Sequence, residues 1–340
     1  MNSATLTNSG ERTAADARKR VLPPPITGQE LILIGVIVAL WAILALATPG
    51  FLTPYSIQNM LWRLAPIGIM AIGMTIILVT AGIDISIAAI LMVCAVVIAK
   101  LIAEAGWPFL GALGVSLAIG GVLGSINGWL ISYGRVPAII ITFGTANLFQ
   151  FLGLKIFDSK TVNSLPASRD ILGPGDGGRL LGVPIAFIVM VILVVLAWYY
   201  LRHFPGGRHF FAIGDDENAA ALAGVNGRRR VFLAYALTGV LVGLAAAITV
   251  GGGTATLDQS VGRGQELVTI AAVVIGGTSV LGGRGSVLGA VLGALLVQTV
   301  ATGVTLLGWP SQLSNLFIGV FIVIAVGADL IRERRRKARL

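Results

Sequence analysis

A glycine- and hydroxyl-rich segment offers the residue types of a phosphate-binding loop. It runs as Gly-Gly-Thr-Ser from Gly276 to Ser279 and continues as Gly-Gly-Arg-Gly from Gly282 to Gly285. A P-loop needs a Gly-Lys pair followed by Ser or Thr, because the lysine reaches the phosphates. No Gly-Lys pair occurs anywhere in the chain. The segment therefore predicts no nucleotide site, and any nucleotide must be bound by another polypeptide.

The side chains most often used in catalysis and metal binding are sparse. The two histidines, His203 and His209, flank a Pro-Gly-Gly turn and lack acidic partners at metal-ligand spacing. The single cysteine, Cys94, lies within an apolar run, which indicates a small core residue rather than a disulfide framework or a thiolate metal cluster. No His-Glu-x-x-His motif and no nucleophile with a matching base is found. We therefore expect no catalytic residue, no metal site and no bound cofactor in this chain.

Asp84 is an isolated acidic residue in a long apolar region. It is the only acid between Glu30 and Glu104. A carboxylate at the centre of a bilayer costs about 2.5 to 3.5 kcal/mol on insertion scales, so something must compensate for its charge. The sequence favours a cap, in which Asp84 and Ser86 accept hydrogen bonds from the first N–H groups of a helix that begins near Ile85. Direct contact with a substrate and a role in proton coupling are the alternatives.

The longest polar interruption among the apolar runs covers residues 206–236. An acidic cluster followed by an alanine-rich stretch predicts a short helix of about nine residues, with a capping carboxylate at its start and Gly224 at its end. The basic residues that follow favour the cytoplasmic side of a membrane. We expect this helix to contact a cytoplasmic partner, and a solvated loop is the alternative. Its candidate contact residues are Gly214, Asp215, Asp216, Glu217, Asn218, Ala219, Ala220, Ala223 and Gly224.

Composition excludes an ordinary soluble domain. Of the 340 residues, 56% are hydrophobic and only 11% are charged, and the mean hydropathy is +0.91. Glycine, with 45 residues, is about twice as frequent as usual, as expected where membrane helices pack through small residues. The net charge of +9 comes from basic residues scattered between apolar runs, which indicates orientation in a membrane rather than nucleic-acid binding. The sequence predicts an all-α polytopic membrane protein in contact with lipid.

The chain divides into a polar tail at residues 1–28, a transmembrane domain at 29–331 with a polar loop at 203–230, and a basic tail at 332–340. Most of the 24 Lys and Arg residues fall on one side if the chain spans the membrane about ten times, so both termini are predicted to be cytoplasmic. The loop at 158–181 then faces the opposite side. The predicted spans are residues 31–47, 62–80, 84–103, 107–133, 137–157, 182–202, 230–250, 267–278, 285–306 and 312–331.

Two of these runs are unusual. The first ends in Ala-Leu-Ala, like a signal-peptidase site, but it is long enough to span a bilayer, so we expect it to be retained. The run at 267–278 is short for a hydrocarbon core of about 30 Å and ends in two glycines, which predicts a broken or re-entrant helix inside the protein. Residues 76–86 and 273–279 share an apolar run, a glycine and a terminal serine, a weak indication of an internal repeat.

Four motifs in order resemble the permease subunits of bacterial ABC importers for ribose and related sugars. The polar loop has the aromatic-Ala-Ile-Gly, polar-pair, Ala-Ala and Gly-plus-basic pattern of their coupling segment. The other motifs lie upstream and downstream of it, and together the four cover most of residues 33–330. They are Gly82-Ile83-Asp84-Ile85-Ser86, Val136-Pro137-Ala138 with Thr142-Phe143-Gly144-Thr145, and Glu266-Leu267 with Ala271 to Ser279, Leu281-Gly282-Gly283 and Gly285-Ser286.

The resemblance implies a type II ABC importer-like permease fold of about ten helices, several of them broken, in the bacterial inner membrane. It implies import of a monosaccharide or of a sugar-like signal such as autoinducer-2, by a dimer of permeases. The implied partners are cytoplasmic ABC ATPase subunits, which bind the ATP and Mg, and a periplasmic sugar-binding protein. A passive channel or an ion-coupled carrier for a small polar solute is the alternative, and it would need no coupling helix.

Intramembrane polar residues are the candidates for the translocation path. On residues 137–154, hydroxyls and an amide near one side of a helix could hydrogen-bond a sugar, with an aromatic ring against its apolar face. Asn147 lies off that stripe. Helix-to-helix hydrogen bonding is an equal alternative, also for Gln298, Thr302 and Asn315. The candidate path residues are Asp84, Ser86, Asn127, Thr142, Thr145, Phe149, Gln150, Thr278 and Ser279.

Overall fold

The computed structural model describes residues 28–165, 171–252 and 255–337, and it is 74% helical with almost no strands. The predicted N-terminal tail, apart from its last residue, and the last three residues of the basic tail lie outside them. The helices are α1 (Gly28–Ala47), α2 (Pro54–Val79), α3 (Ile87–Ala103), α4 (Phe109–Ser132), α5 (Ala138–Phe157), α6 (Ile185–His203), α7 (Pro205–Asp215), α8 (Glu217–Leu222), α9 (Gly227–Val250), α10 (Gln265–Ile275), α11 (Val287–Leu306) and α12 (Gln312–Lys337).

Two short antiparallel strand pairs and one turn of 3-10 helix complete the described secondary structure. Strand β1 (Val162–Asn163) pairs with β4 (Thr256–Leu257), and β2 (Arg179–Leu180) pairs with β3 (Val183–Pro184). The first pair ties the segment after α5 to the segment after α9. These two helix ends therefore lie on the same side of the molecule.

Within the described residues, seven helices are long and apolar enough to cross a membrane, namely α1, α2, α4, α5, α6, α9 and α11. Three shorter apolar helices, α3, α10 and the part of α12 up to Gly327, bring the total to the ten apolar runs of the sequence. The prediction of an all-α polytopic membrane protein is confirmed. The prediction of broken helices is supported by α10, which has only 11 residues.

Helix α2 is the centre of the bundle. The Oγ1 atom of its N-cap, Thr53, accepts a hydrogen bond from the N–H of Ser56, and Pro54 supplies the fixed φ suited to a first helical position. Most of the helix is buried, with α9, α11 and α6 packed around it. Its buried residues from Leu64 to Val79 are nearly all apolar, as expected of a helix enclosed by other helices.

Helices α4 and α9 approach each other closely through glycines. A Cβ atom at Gly120 would lie only 2.2 Å from the carbonyl oxygen of Gly239, and one at Gly124 would lie 2.3 Å from the carbonyl oxygen of Tyr235. The Ser116 hydroxyl donates a hydrogen bond to the carbonyl of Gly243 at 2.8 Å. Membrane helices lack a hydrophobic driving force for association, so they associate through close packing of small residues and through buried hydrogen bonds such as that of the Ser116 hydroxyl.

Candidate functional site

A fully buried polar cluster lies at the break between α2 and α3. Asp84 Oδ1 accepts a hydrogen bond from the backbone N–H of Ser86 at 2.8 Å and another from its hydroxyl at 2.6 Å. The amide nitrogen of Asn127, on α4, donates to the same hydroxyl oxygen at 2.7 Å. The carbonyl of Ile83 accepts from the hydroxyls of Thr142 and Tyr235. The break is therefore fixed by side chains from three helices.

The predicted cap at Asp84 is wrong in its geometry. Helix α3 begins at Ile87 rather than near Ile85, and its N-cap Ser86 makes no side-chain cap hydrogen bond. Asp84 accepts instead from the N-cap residue itself, two positions along the chain, as in an Asx turn. Its second oxygen, Oδ2, is buried without a hydrogen-bond partner, and so is Oδ1 of Asn127. Among the described residues, no Lys or Arg forms a salt bridge with Asp84.

The second break follows α10 and lies against the first. Gly277 has φ of +95°, which ends the helix, and Thr278 and Ser279 are both buried. The Thr278 hydroxyl oxygen has no hydrogen-bond partner, whereas the Ser279 oxygen accepts from the N–H of Leu281 at 3.3 Å. At the start of α11, the Ser286 hydroxyl caps the N–H of Gly289. The polar side chains of Asp84, Ser86, Thr278 and Ser279 at the two breaks are thus all buried in the bundle.

A polar cleft of about 220 Å³ opens between α3, α5 and the loop that precedes α10. Three amide side chains, one aromatic ring and one residue of each charge sign contribute to its wall. The loop approaches α3 closely at Gly262, whose φ is +82° and where a Cβ would lie 2.8 Å from the Ala88 carbonyl oxygen. The polar and aromatic lining residues are Phe143, Asn147, Gln150, Gln259, Arg263 and Glu266.

Only Gln150 of the predicted path residues lines this cleft. Thr142, Thr145 and Phe149 are buried on the other side of α5, which packs against α3. The hydroxyl of Thr145 donates to the carbonyl of Ile141 in its own helix at 3.0 Å. Thr142, Thr145 and Phe149 therefore share one buried side of α5, as predicted, and in this conformation they make the helix contacts that the sequence left as the alternative. Their part in the translocation path stays a prediction.

Apart from Gln150, the polar and aromatic residues of the cleft are not among the predicted path residues. Phe143, Asn147 and Gln150 follow each other at intervals of four and three, the spacing of one helix face. That spacing is visible in the sequence and places Asn147 on the face of α5 that lines the cleft, together with Gln150. Gln259 and Arg263 come from an irregular loop, and no local pattern indicates that this loop packs against α3 and α5.

The polar loop contains two helices instead of one. Helix α7 contains Gly214 and ends at Asp215, and α8 has six residues rather than about nine. The predicted carboxylate cap is Asp216, whose Oδ1 accepts from the N–H of Ala219 at 2.9 Å. Gly224 follows α8 with φ of +80°.

The exposed fractions of the side chains show which residues form the outer face of α8. Ala220 is only 5% exposed, so its predicted contact with a partner is wrong: it faces this chain's own interior. Asp215 to Ala219 and Ala221 to Gly224 are exposed, and Leu222 reaches 91% exposure at the tip. Leu222 is thus an exposed apolar residue on the polar loop that the sequence analysis did not select as a candidate.

The end of α7 is seated on both helix breaks. A Cβ at Gly214 would lie 1.9 Å from the Val79 carbonyl oxygen, at the end of α2, and 2.6 Å from the backbone nitrogen of Gly283. The N–H of Gly283 donates to the same Val79 carbonyl at 3.0 Å. Gly282 and Gly283 have φ of +88° and +71°, a conformation that favours glycine. We call the backbone contact of Val79, Gly214 and Gly283 the glycine junction.

Comparison with known proteins supports the motif resemblance. Residues 56–326 match the family model described as "Branched-chain amino acid transport system / permease component". The chain is 34% identical to the ribose import permease protein RbsC of Escherichia coli K12 over 86% of this chain and 91% of the relative. It is 37% identical to RbsC of Bacillus subtilis, over 84% and 88% of the two chains.

The chain is also similar to an import permease that is named for another sugar. The chain is 33% identical to the fructose import permease protein FrcC of Rhizobium meliloti, over 82% of this chain and 79% of the relative. No solved structure gives a significant match. The family match covers most of the chain, and the long apolar helices fit a multi-pass membrane protein. The chain belongs to the branched-chain amino acid transport system permease family.

Proposed function

We propose that this chain is the membrane-spanning permease subunit of an ABC importer that moves a monosaccharide from the periplasm to the cytoplasm. The observation that carries the proposal is the polar cleft. Amide groups both donate and accept hydrogen bonds, which suits the hydroxyls of a sugar, and the Phe143 ring offers a surface for its apolar face. The similar relatives are named as import permeases for ribose and for fructose, which belong to the same substrate class.

The position of the cleft fits entry from the side opposite to the polar loop. Gln259 and Arg263 lie in the segment that follows α9, whereas the polar loop precedes α9. A helix of 24 residues is about 36 Å long, so the end of α9 and the polar loop lie on opposite sides of a bilayer. The loop with Gln259 and Arg263 starts on that far side and folds back into the bundle, where Gly262 approaches Ala88 at the start of α3. We infer that the protein lies in the inner membrane, with the polar loop and both termini in the cytoplasm. The cleft then opens toward the periplasm.

The energy source in this proposal is a separate ATPase. The chain has no Gly-Lys pair for a P-loop, so ATP and Mg would be bound by the partner. The exposed Leu222 and the glycine junction behind it supply a contact and a mechanical route from that partner to the helix breaks. A periplasmic sugar-binding protein and a second permease copy complete the proposed complex, and the sequence motifs imply both.

The test is sugar uptake by cells that carry chromosomal variants of this gene. Asn147→Ala combined with Gln150→Ala removes two amides of the cleft, and Asn315→Ala removes an exposed amide on α12 as the control. A lost hydrogen bond to a neutral group weakens binding by about 0.5 to 1.5 kcal/mol, so the double variant should reduce uptake of its monosaccharide about tenfold. Uptake equal to that of the control, at equal protein levels in the membrane, would show that the cleft is not the sugar-binding site.

A further inference from the structure

An apolar groove runs along the outer seam between α4 and α9, far from the polar cleft. We call it the seam groove. Its floor is made by small residues, where the two helices approach closely, and its walls by larger apolar ones. The lining residues are Leu117, Ala118, Gly121, Val122, Ser125, Ile126, Trp129, Leu130, Phe232, Leu233, Ala236, Leu237 and Val240. The groove has a volume of about 1070 Å³, the largest of the cavities described for these residues.

The length of the seam groove matches one leaflet of a bilayer. It extends along α4 from Leu117 to Leu130, which corresponds to roughly 20 Å at the rise of a helix. A bilayer is about 40 to 45 Å thick with its headgroup regions, so a groove of this length covers one leaflet and ends near one interface. Trp129 is 59% exposed at that end, as is usual for aromatic side chains at the level of the headgroups.

Basic residues surround the same end of the groove. Arg228 and Arg229 are exposed one helical turn before Phe232 and Leu233, so they continue the face of α9 that lines it. On α4, the ring of Tyr133 contacts that of Phe232, with centroids 6.5 Å apart, and the exposed Arg135 follows two residues later.

These arginines are available for an external anion. No salt bridge involves Arg135, Arg228 or Arg229 among the residues that the structure describes. An apolar groove one leaflet long, with an aromatic rim and unpaired arginines at the rim, is complementary to one molecule: a phospholipid with two acyl chains and a negatively charged headgroup. We propose that the seam groove is a binding site for an anionic phospholipid, with its acyl chains between α4 and α9 and its headgroup at Arg228 and Arg229. This proposal does not depend on the transported substrate.

A second permease copy is the competing occupant, and charge argues against it. Two copies related by a twofold axis would bring equivalent surfaces together, so the three arginines of each copy would lie near those of the other. Like charges so placed repel each other. The anionic headgroup removes that cost.

The experiment is native mass spectrometry of the full-length protein, stripped of lipid in detergent and titrated with dioleoyl-phosphatidylglycerol or with dioleoyl-phosphatidylcholine. The two probes have the same chains and differ in headgroup charge. We expect the anionic lipid to bind at least about tenfold more tightly. Arg228→Gln combined with Arg229→Gln should lower its affinity about 25-fold, at about fivefold per basic residue. Lys155→Gln combined with Lys160→Gln removes the same charge from exposed residues at the far end of α5 and just beyond it, and should change the affinity little.

A third variant tests the groove itself. Ser125→Trp places a large ring on the floor of the seam groove and should abolish tight binding of the anionic lipid while the arginines remain. Equal binding of the two lipids, or equal effects of the arginine and lysine pairs, would overturn the proposal. A lipid-independent dimer that Ser125→Trp dissociates would place a second copy in the groove and would overturn it as well.

Discussion

At the scale of single residues, Asp84 shows how a carboxylate is accommodated inside a helical bundle. It is 1% exposed, and its Oδ1 receives both the N–H and the hydroxyl of Ser86. The same hydroxyl accepts from Asn127, so three residues on two segments form one network. Buried networks of this kind are costly when one member is lost, because the remaining groups keep no partner.

Replacing Asp84 separates this structural role from a role of the charge. Asp84→Asn keeps an oxygen that accepts from Ser86, so we expect nearly unchanged thermal stability and sugar uptake. Asp84→Leu leaves the buried N–H and hydroxyl of Ser86 without their acceptor. It should lower the free energy of unfolding by about 1 to 3 kcal/mol for each of these groups. The measurement is thermal unfolding of the detergent-solubilised variants beside uptake in cells. A folded Asp84→Asn protein without uptake would mean that the charge is required, as an ion-coupled carrier would need.

At the scale of elements, the two broken helices and the polar loop form one mechanical unit. The end of α7 contacts the end of α2 and the turn between α10 and α11 through the glycine junction. Contacts made by backbone atoms leave no side chain to adjust, so movement of α7 must be transmitted to both breaks or must open the junction. The buried polar cluster adjoins the first of these breaks, and the cleft is lined by Ile85 at its edge.

A side chain at Gly214 should disturb this unit. Gly214→Ala places a methyl group 1.9 Å from the Val79 carbonyl oxygen, so the junction must separate. We expect a loss of stability of about 1 to 3 kcal/mol, typical of overpacking, together with a larger fractional loss of uptake than of protein in the membrane. Gly35→Ala is the matched control, because its Cβ would meet no atom within 4 Å in α1. Uptake that falls only in proportion to protein level would show that the junction serves stability alone.

The sequence predicted elements better than contacts. Hydropathy located all ten apolar helices, since each must satisfy its own backbone hydrogen bonds in lipid. The acidic cluster predicted a carboxylate cap for the short helix, and the structure identifies that cap as Asp216. The residues of the translocation path were harder to predict from the sequence. A hydroxyl such as that of Thr145 can donate a hydrogen bond to its own helix, so polarity alone does not distinguish a path residue from a helix contact. The glycine junction joins three segments that are between about 70 and about 200 residues apart in the sequence, and no local pattern indicates it.

At the scale of the whole molecule, the proposed orientation places Leu181 and Leu222 on opposite sides of the membrane. Both are nearly fully exposed, at 98% and 91%. Cysteines introduced at either position in a Cys94→Ala background should react differently with an impermeant thiol reagent in intact cells. We expect labelling of Leu181→Cys and protection of Leu222→Cys until the cells are lysed. Labelling of both in intact cells would contradict the ten-span arrangement with cytoplasmic termini.

We propose that this chain imports a monosaccharide with energy from a separate ATPase that docks on α8. The direct test reconstitutes the permease in vesicles with its co-purifying ATPase and binding protein, and follows radiolabelled ribose, fructose and allose. Leu222→Asp replaces the exposed leucine of the proposed contact, and Leu181→Asp makes the same change at an equally exposed position elsewhere.

We predict accumulation of one of these sugars only when ATP is supplied, its loss in Leu222→Asp together with loss of ATPase co-purification, and its retention in Leu181→Asp. Uptake by the permease alone, down a sugar gradient or driven by an ion gradient, with no effect of Leu222→Asp, would contradict the account.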